Sequence, residues 1–214
     1  MHHLISIISH NGYLFLAPYQ GNGSPGPMIV DQAGNLVWSH PLPAGTEATN
    51  FGVQQYEGKP VLTWWQGRII QVGFGEGEDV IYDGSYRRVA VVRAGNGYQA
   101  DLHEIRLTPQ GTAWIDVFDP IHMNLSSVHG ASAGVLTDSV VQEIDVKTGL
   151  VMWEWHALGH IALSESNNPV PKSYDFAAVG RTQRLDVGPE HIAPPLRQCT
   201  LRADAGKLFE QLAQ

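Results

Sequence analysis

Asp101, His103 and Glu104 bring three ionisable side chains together within four consecutive positions. An imidazole beside a carboxylate is the arrangement of a nucleophile or general base, because the carboxylate fixes the ring and steadies the charge it acquires. In an extended chain, positions 101 and 103 share one face while 104 points to the other. Asp101 is therefore the expected orienting partner of His103. Glu104 is directed into packed surroundings, where it needs a donor such as a Trp or a backbone N–H. The plainer reading, a polar residue at a strand start whose ring bonds a neighbouring carbonyl, stays open on residue types alone.

Other groupings carry less. His156 and His160 have the i, i+4 spacing of two metal ligands on a helix. The glutamate of a zinc-protease motif is absent, however, and Gly159 interrupts the segment, so a loop is expected there and no metal site. His122 and His129 flank the serine-containing MNLSSV, with no glycine elbow to present either serine as a nucleophile. GFGEGE at 73–78 has two acidic residues and no helix behind it, which argues for a turn and against a phosphate loop. Arg93 and Arg106 are the candidate cations, with Arg106 expected to face away from Ile105.

Short strands must position these groups. From Asn96 to Asp119 the chain reads NGYQADLHEIRLTPQGTAWIDVFD, in which Ile105, Leu107, Ala113, Ile115 and Val117 alternate with more polar residues about Pro109-Gln110-Gly111. Period-two alternation broken by Pro and Gly predicts an antiparallel hairpin. A similar stretch, NFGVQQYEGKPVLTWW at 50–65, aligns with it through Gly58 and Gly111 at an offset of 53, which sets Asn50 against His103. A second pattern, an apolar pair, Asp and a glycine turn, recurs as MIVDQAGNLVW, VVQEIDVKTGLVMWEW and TLRADAGKLFEQL. VIYDGSYRRVAVV fills a missing copy without the matching glycine. Gly34, Gly58, Gly111 and Gly149 are all expected in hairpin turns. Alternating hairpins with a period of roughly 50–60 residues predict an all-β, β-propeller fold with one four-stranded blade per repeat. A β-sandwich is the structural alternative, but it leaves the paired repeats unexplained. The expectation is an incomplete ring of three to four blades over 1–176. Blade faces bearing Trp64, Trp65, Trp153 and Trp155 would then lie in water and favour self-association. Residues 177–214, with Pro189, Pro194 and Pro195 and no clean alternation, are expected to be a diverged, irregular segment, or to end in a short helix capped by Asp204.

Composition narrows the class. Hydrophobic residues make up 43% and charged residues 16% of 214, which is globular. A net charge of −8 and scattered basic residues exclude a nucleic-acid partner. Cys199, the single cysteine, excludes an internal disulfide. The apolar run Leu4–Ile8 is too short for a membrane span and lacks the features of an export signal, so the compartment is left open.

From Gly12 to about Asp175 the chain resembles the bacterial and fungal arylsulfotransferase (ASST-type) propeller family. The resemblance is carried by GYLFLAPYQG, GPMIVDQAGNLVW, TNFGVQQYEGKPVLTWWQG, RAGNGYQADLHEIRLTPQGTA, DSVVQEIDVKTGLVMWEWHALGHIALSES and VPKSYDF. It implies a six-bladed propeller with an axial funnel, where a histidine takes sulfuryl from an aryl sulfate and passes it to a phenol. It implies no cofactor and no nucleotide sulfate donor, and its relatives are often exported. His103, in DLHE, matches a motif of the family and is the expected catalytic residue, and the positions of Asn50, Asp101 and Glu104 at the same strand mouths make them the expected substrate contacts. Family members continue past the Tyr-Asp-Phe of Tyr174–Phe176 with a His-x-Asn-Ser segment and later a Gln-His-Asp segment. AAVGRTQRLDVG stands in the first place, and the chain ends before the second. The expectation is a truncated or degenerate member, for which a non-catalytic propeller scaffold or a ligand- or protein-binding remnant is the alternative to an enzyme.

Overall fold

A computed structural model of the chain describes residues 9–10, 12–18, 23–71, 73–165 and 199–200. They are β throughout, apart from two single 3-10 turns at Ser126–Val128 and Leu163–Glu165. None of the described residues forms a helix long and apolar enough to cross a membrane. The expectations for 177–214, including the terminal helix and the third Asp–Gly copy, lie outside the described residues save for 199–200.

Consecutive strands pair into three antiparallel sheets, none of them closed. The first holds β1 (Ser9–His10), β2 (Tyr13–Leu16), β3 (Met28–Asp31) and β4 (Leu36–Ser39). The second holds β5 (Glu47–Tyr56), β6 (Lys59–Gln71), β7 (Phe74–Tyr82) and β8 (Arg88–Val92). The third holds β9 (Ile105–Leu107), β10 (Thr112–Met123), β11 (Gly134–Asp145) and β12 (Val151–His156), and β13 (Cys199–Thr200) joins β11 in parallel. The chain divides into two compact units. Among the described residues, one comprises those up to Phe118 and Val140–Trp155, and the other Asp119–Ser139 and those from His156 onward.

The four turn glycines do sit in hairpins, each with positive φ. Glu57 and Gly58 both have positive φ (50° and 73°), the pair of left-handed residues that a two-residue hairpin needs to match strand twist. The Asp pattern has a mechanical reason. The third strand of each sheet ends on an aspartate, Asp31 or Asp145, or is followed at once by one, Asp83, and the carboxylate accepts backbone N–H groups of the turn. A residue three or four positions later then closes the turn onto the aspartate carbonyl with left-handed φ: Gly34, Tyr86 (φ 60°) and Gly149. VIYDGSYRRVAVV lacks the matching glycine because Tyr86 adopts that conformation itself.

Trp64 and Trp65, adjacent on β6, point to opposite faces of the second sheet. Trp64 joins Phe15, Ile29, Phe51 and Val80 in a cluster shared with the first sheet. Trp65 joins Tyr56, Ile81, Ala100, Ile105, Ile115 and Ile144 in a cluster shared with the third. Both indoles are fully buried, which corrects the expectation that they face water. A middle sheet has a neighbour on each side, and each buried indole contributes several kcal/mol, on the order of 5, of apolar transfer. Trp153, on the last long strand, remains 37% exposed and meets Trp114 edge-on. The segment expected to be a turn at 73–78 is mostly strand β7. Gly75 and Gly77 in it, together with Gly67 on β6, make room for the Trp65 ring, since a Cβ at any of the three would come within 2.6–2.8 Å of it.

Candidate functional site

Residues 100–104 lead into β9 as a bend, so the strand geometry expected for Asp101 and His103 is replaced by a tighter one. Five backbone and side-chain contacts hold that bend. Ala100 exchanges two hydrogen bonds with Gly77 (3.0 and 3.2 Å), and its carbonyl also accepts the Trp65 indole N–H at 2.9 Å. The Asp101 N–H donates to the Asp116 carbonyl at 2.8 Å. Thr49 Oγ1 donates to the Leu102 carbonyl at 2.7 Å, at the offset of 53 read from the glycines.

The Asp101 carboxylate is buried and accepts the Gly75 N–H on Oδ1 at 2.8 Å. Its Oδ2 is hydrogen-bonded to His103 Nδ1. The expected orienting pair therefore forms, through a bend rather than through strand parity. The His103 side chain is 34% exposed and lies against the Phe118 ring, centroids 5.5 Å apart. Asn50 sits on β5 with φ 55°, where the pairing with β6 shifts register. Glu104 is half-buried and pairs with Arg106 Nη2 at 3.6 Å, so its donor is a guanidinium and not the Trp or backbone N–H expected. Burial raises its pKa, with Arg106 opposing. The other candidate cation, Arg93, is bound to Glu78 at 2.6 Å.

Two carboxyls of the site escaped sequence reasoning. Asp116, on β10, reads as a solvent-facing position of an alternating hairpin but is 3% exposed, because β10 is covered on both faces. It accepts the Glu104 N–H at 3.2 Å. Burial, then repulsion from Asp101, pushes its pKa up to about 7. Asp79, on β7, is fully buried, and neither of its oxygens has a hydrogen bond among the described residues. Burial and the charges of Asp116 and Asp101 raise its pKa well above the ordinary value. One usable signal was the offset of 53, which sets Asp116 against Thr63, a second polar residue that is buried.

A second imidazole–carboxylate couple belongs to the other unit. His156 Nδ1 lies 2.8 Å from Oδ2 of the buried Asp138, whose Oδ1 accepts the Leu158 N–H at 2.7 Å. His160 donates from Nδ1 to the His156 carbonyl at 2.7 Å. His156 thus ends strand β12, where a loop was expected, and only His160 lies in the turn that follows, so the two make different contacts. Asp119 has its pKa raised by burial and by Asp138.

Comparison with known proteins adds three findings. A family model described as arylsulfotransferase (ASST) matches residues 52–192. No curated protein matches the chain. Among solved structures, the crystal structure of a protein of unknown function from Bacteroides caccae is similar at 12% identity, over 67% of this chain, with a TM-score of 0.33. The chain spans 57% of that protein's length.

Proposed function

The chain belongs to the arylsulfotransferase (ASST) family, and from that premise we propose that His103 takes a sulfuryl group from an aryl sulfate and delivers it to a phenol. The observation that carries this reading is the His103–Asp101 couple at the mouth of β9. With Asp101 on Nδ1, attack on sulfur falls to Nε2. The N–S bond forms as the S–O bond to the aryl group breaks, and the phenolate leaves with the electron pair. Asp101 steadies the positive charge that builds on the ring, and the Gly75 N–H keeps the carboxylate in place. A phenolate oxygen then attacks sulfur, the N–S bond breaks, and Nε2 regains its lone pair. Sulfuryl oxygens need donors, and Asn50, at the equivalent point of the preceding sheet, is the candidate. Each sheet is read as one blade of a larger propeller.

A second reading, a non-catalytic ligand-binding member, is favoured by one observation. Arg93 and Arg106 are each engaged by a glutamate, while Asp101 and Asp116 lie beside the histidine and Asp79 adds a third buried acid near those two. The test is transfer from a chromogenic aryl sulfate to a phenol acceptor. Acceptor-dependent release of the chromophore is expected from the wild-type chain, with none from His103→Ala. Full transfer by His103→Ala removes the catalytic assignment.

A further inference from the structure

The geometry points to a divalent transition-metal site formed by Asp101, His103 and Asp116, of a kind suited to zinc, manganese or cobalt. Each of the three offers one ligand atom, and all three atoms lie within 4.8 Å of one another. Donors around such a cation at about 2.0–2.2 Å stand about 3–3.5 Å apart, so the spread left to close is on the order of 1 Å.

Charge argues in the same direction. Asp101 and Asp116 are buried side by side, and Asp79 adds a third carboxyl, fully buried, without a hydrogen bond among the described residues. The electrostatic influence of Asp116 and Asp101 on Asp79 shows that the three share one neighbourhood. Arg93 and Arg106 are matched to Glu78 and Glu104. Buried carboxylates require neutralisation, and a cation bound between Asp101 and Asp116 supplies it.

The supporting contacts suit a metal centre. Backbone N–H groups of Gly75 and Glu104 hold the Asp101 and Asp116 carboxylates, which is how outer contacts orient ligands. One imidazole with two carboxylates is a borderline donor set; calcium favours six to eight oxygens and copper(I) favours sulfur. The partial exposure of His103 gives ions a way in.

This inference does not rest on sulfuryl transfer. A metal taking Nδ1, the nitrogen facing Asp101, would place the ring proton on Nε2 and silence it as a nucleophile. Metal uptake and transfer are thus separate readouts.

The test is titration of the chelator-treated full chain with Co2+, followed by visible absorption, and with Zn2+, followed by equilibrium dialysis. One saturable equivalent is expected. Asp116→Asn and His103→Gln should each weaken it at least about tenfold, and His129→Gln, at an exposed loop position, should leave it unchanged. If circular dichroism shows Asp116→Asn unfolded, His103→Gln decides, since it alters a side chain one-third exposed. Absence of saturable uptake, or equal uptake by wild type and His103→Gln, overturns the assignment.

Discussion

Gln54 takes the place of a strand rung for Leu107, 53 residues further along the chain. Its Oε1 accepts the Leu107 N–H at 2.8 Å, and its Nε2 donates to the Ile105 carbonyl at 2.9 Å. One side-chain amide therefore pairs both a donor and an acceptor of β9, and ties β5 to β9 a few residues from His103. Replacing it with Leu leaves two backbone groups without partners. Gln54→Leu is expected to lower unfolding stability by about 2–4 kcal/mol, measured by urea denaturation. An unchanged midpoint would show that β9 does not depend on this bridge.

Asp101→Asn tests how His103 is held. The amide can still accept from Gly75, but its NH2 group can face His103 Nδ1 and favour the opposite tautomer. On the proposed reaction, kcat is expected to fall on the order of 10³-fold with KM little changed. A fall in KM-related affinity alone would make Asp101 a substrate contact, the role expected for it from its place in the sequence.

Asp79 sets a pH dependence of stability. Burial first, and then neighbouring acids, raise its folded-state pKa well above 3.8. The folded chain thus holds a proton that the unfolded chain releases, so this group's contribution is full below 3.8 and is lost as pH rises towards its folded pKa. Asp79→Asn carries no such proton. In chelator-treated protein, its stability relative to wild type is expected to be higher at about pH 7 than at about pH 4. A constant difference across that window would mean that Asp79 is neutralised by a partner.

Tyr86 separates strain from stacking. Its left-handed φ costs about 1 kcal/mol in a non-glycine residue, while its ring stacks on Trp38 with centroids 5.1 Å apart and planes 14° apart. Such a pair is worth about 0.5–1.5 kcal/mol. Tyr86→Ala loses the stacking and keeps the strain, whereas Tyr86→Gly loses both. Tyr86→Gly should therefore be the more stable variant by up to about 1 kcal/mol in thermal or chemical unfolding. The reverse order would show that the turn conformation is unstrained.

The sequence made local chemistry legible where one residue type has one use. Glycines at left-handed turns marked the hairpins, and the offset of 53 between Gly58 and Gly111 recurs in the Thr49–Leu102 and Gln54–Leu107 hydrogen bonds. The Asp101–His103 couple was visible because both partners sit two residues apart. Asp116 was not, because alternation identifies one buried face and cannot tell when a neighbouring sheet covers the other. Trp64 and Trp65 were misread for the same reason. Adjacent residues on a strand look half exposed until both sides are known to be packed. Asp138 and His156 lie on separate strands, and nothing in their spacing announces contact.

The bend that carries His103 precedes the first strand of the third sheet, yet most of its anchors are in the second: Gly75, Gly77, the Trp65 indole and Thr49. A sheet is therefore not the transplantable module of this protein. A chimera joined between β8 and β9 would inherit the histidine from one parent and its setting from the other. Grafting the site onto another scaffold requires a cassette that begins before β5, so that the tryptophan and glycines of one sheet travel with the imidazole of the next.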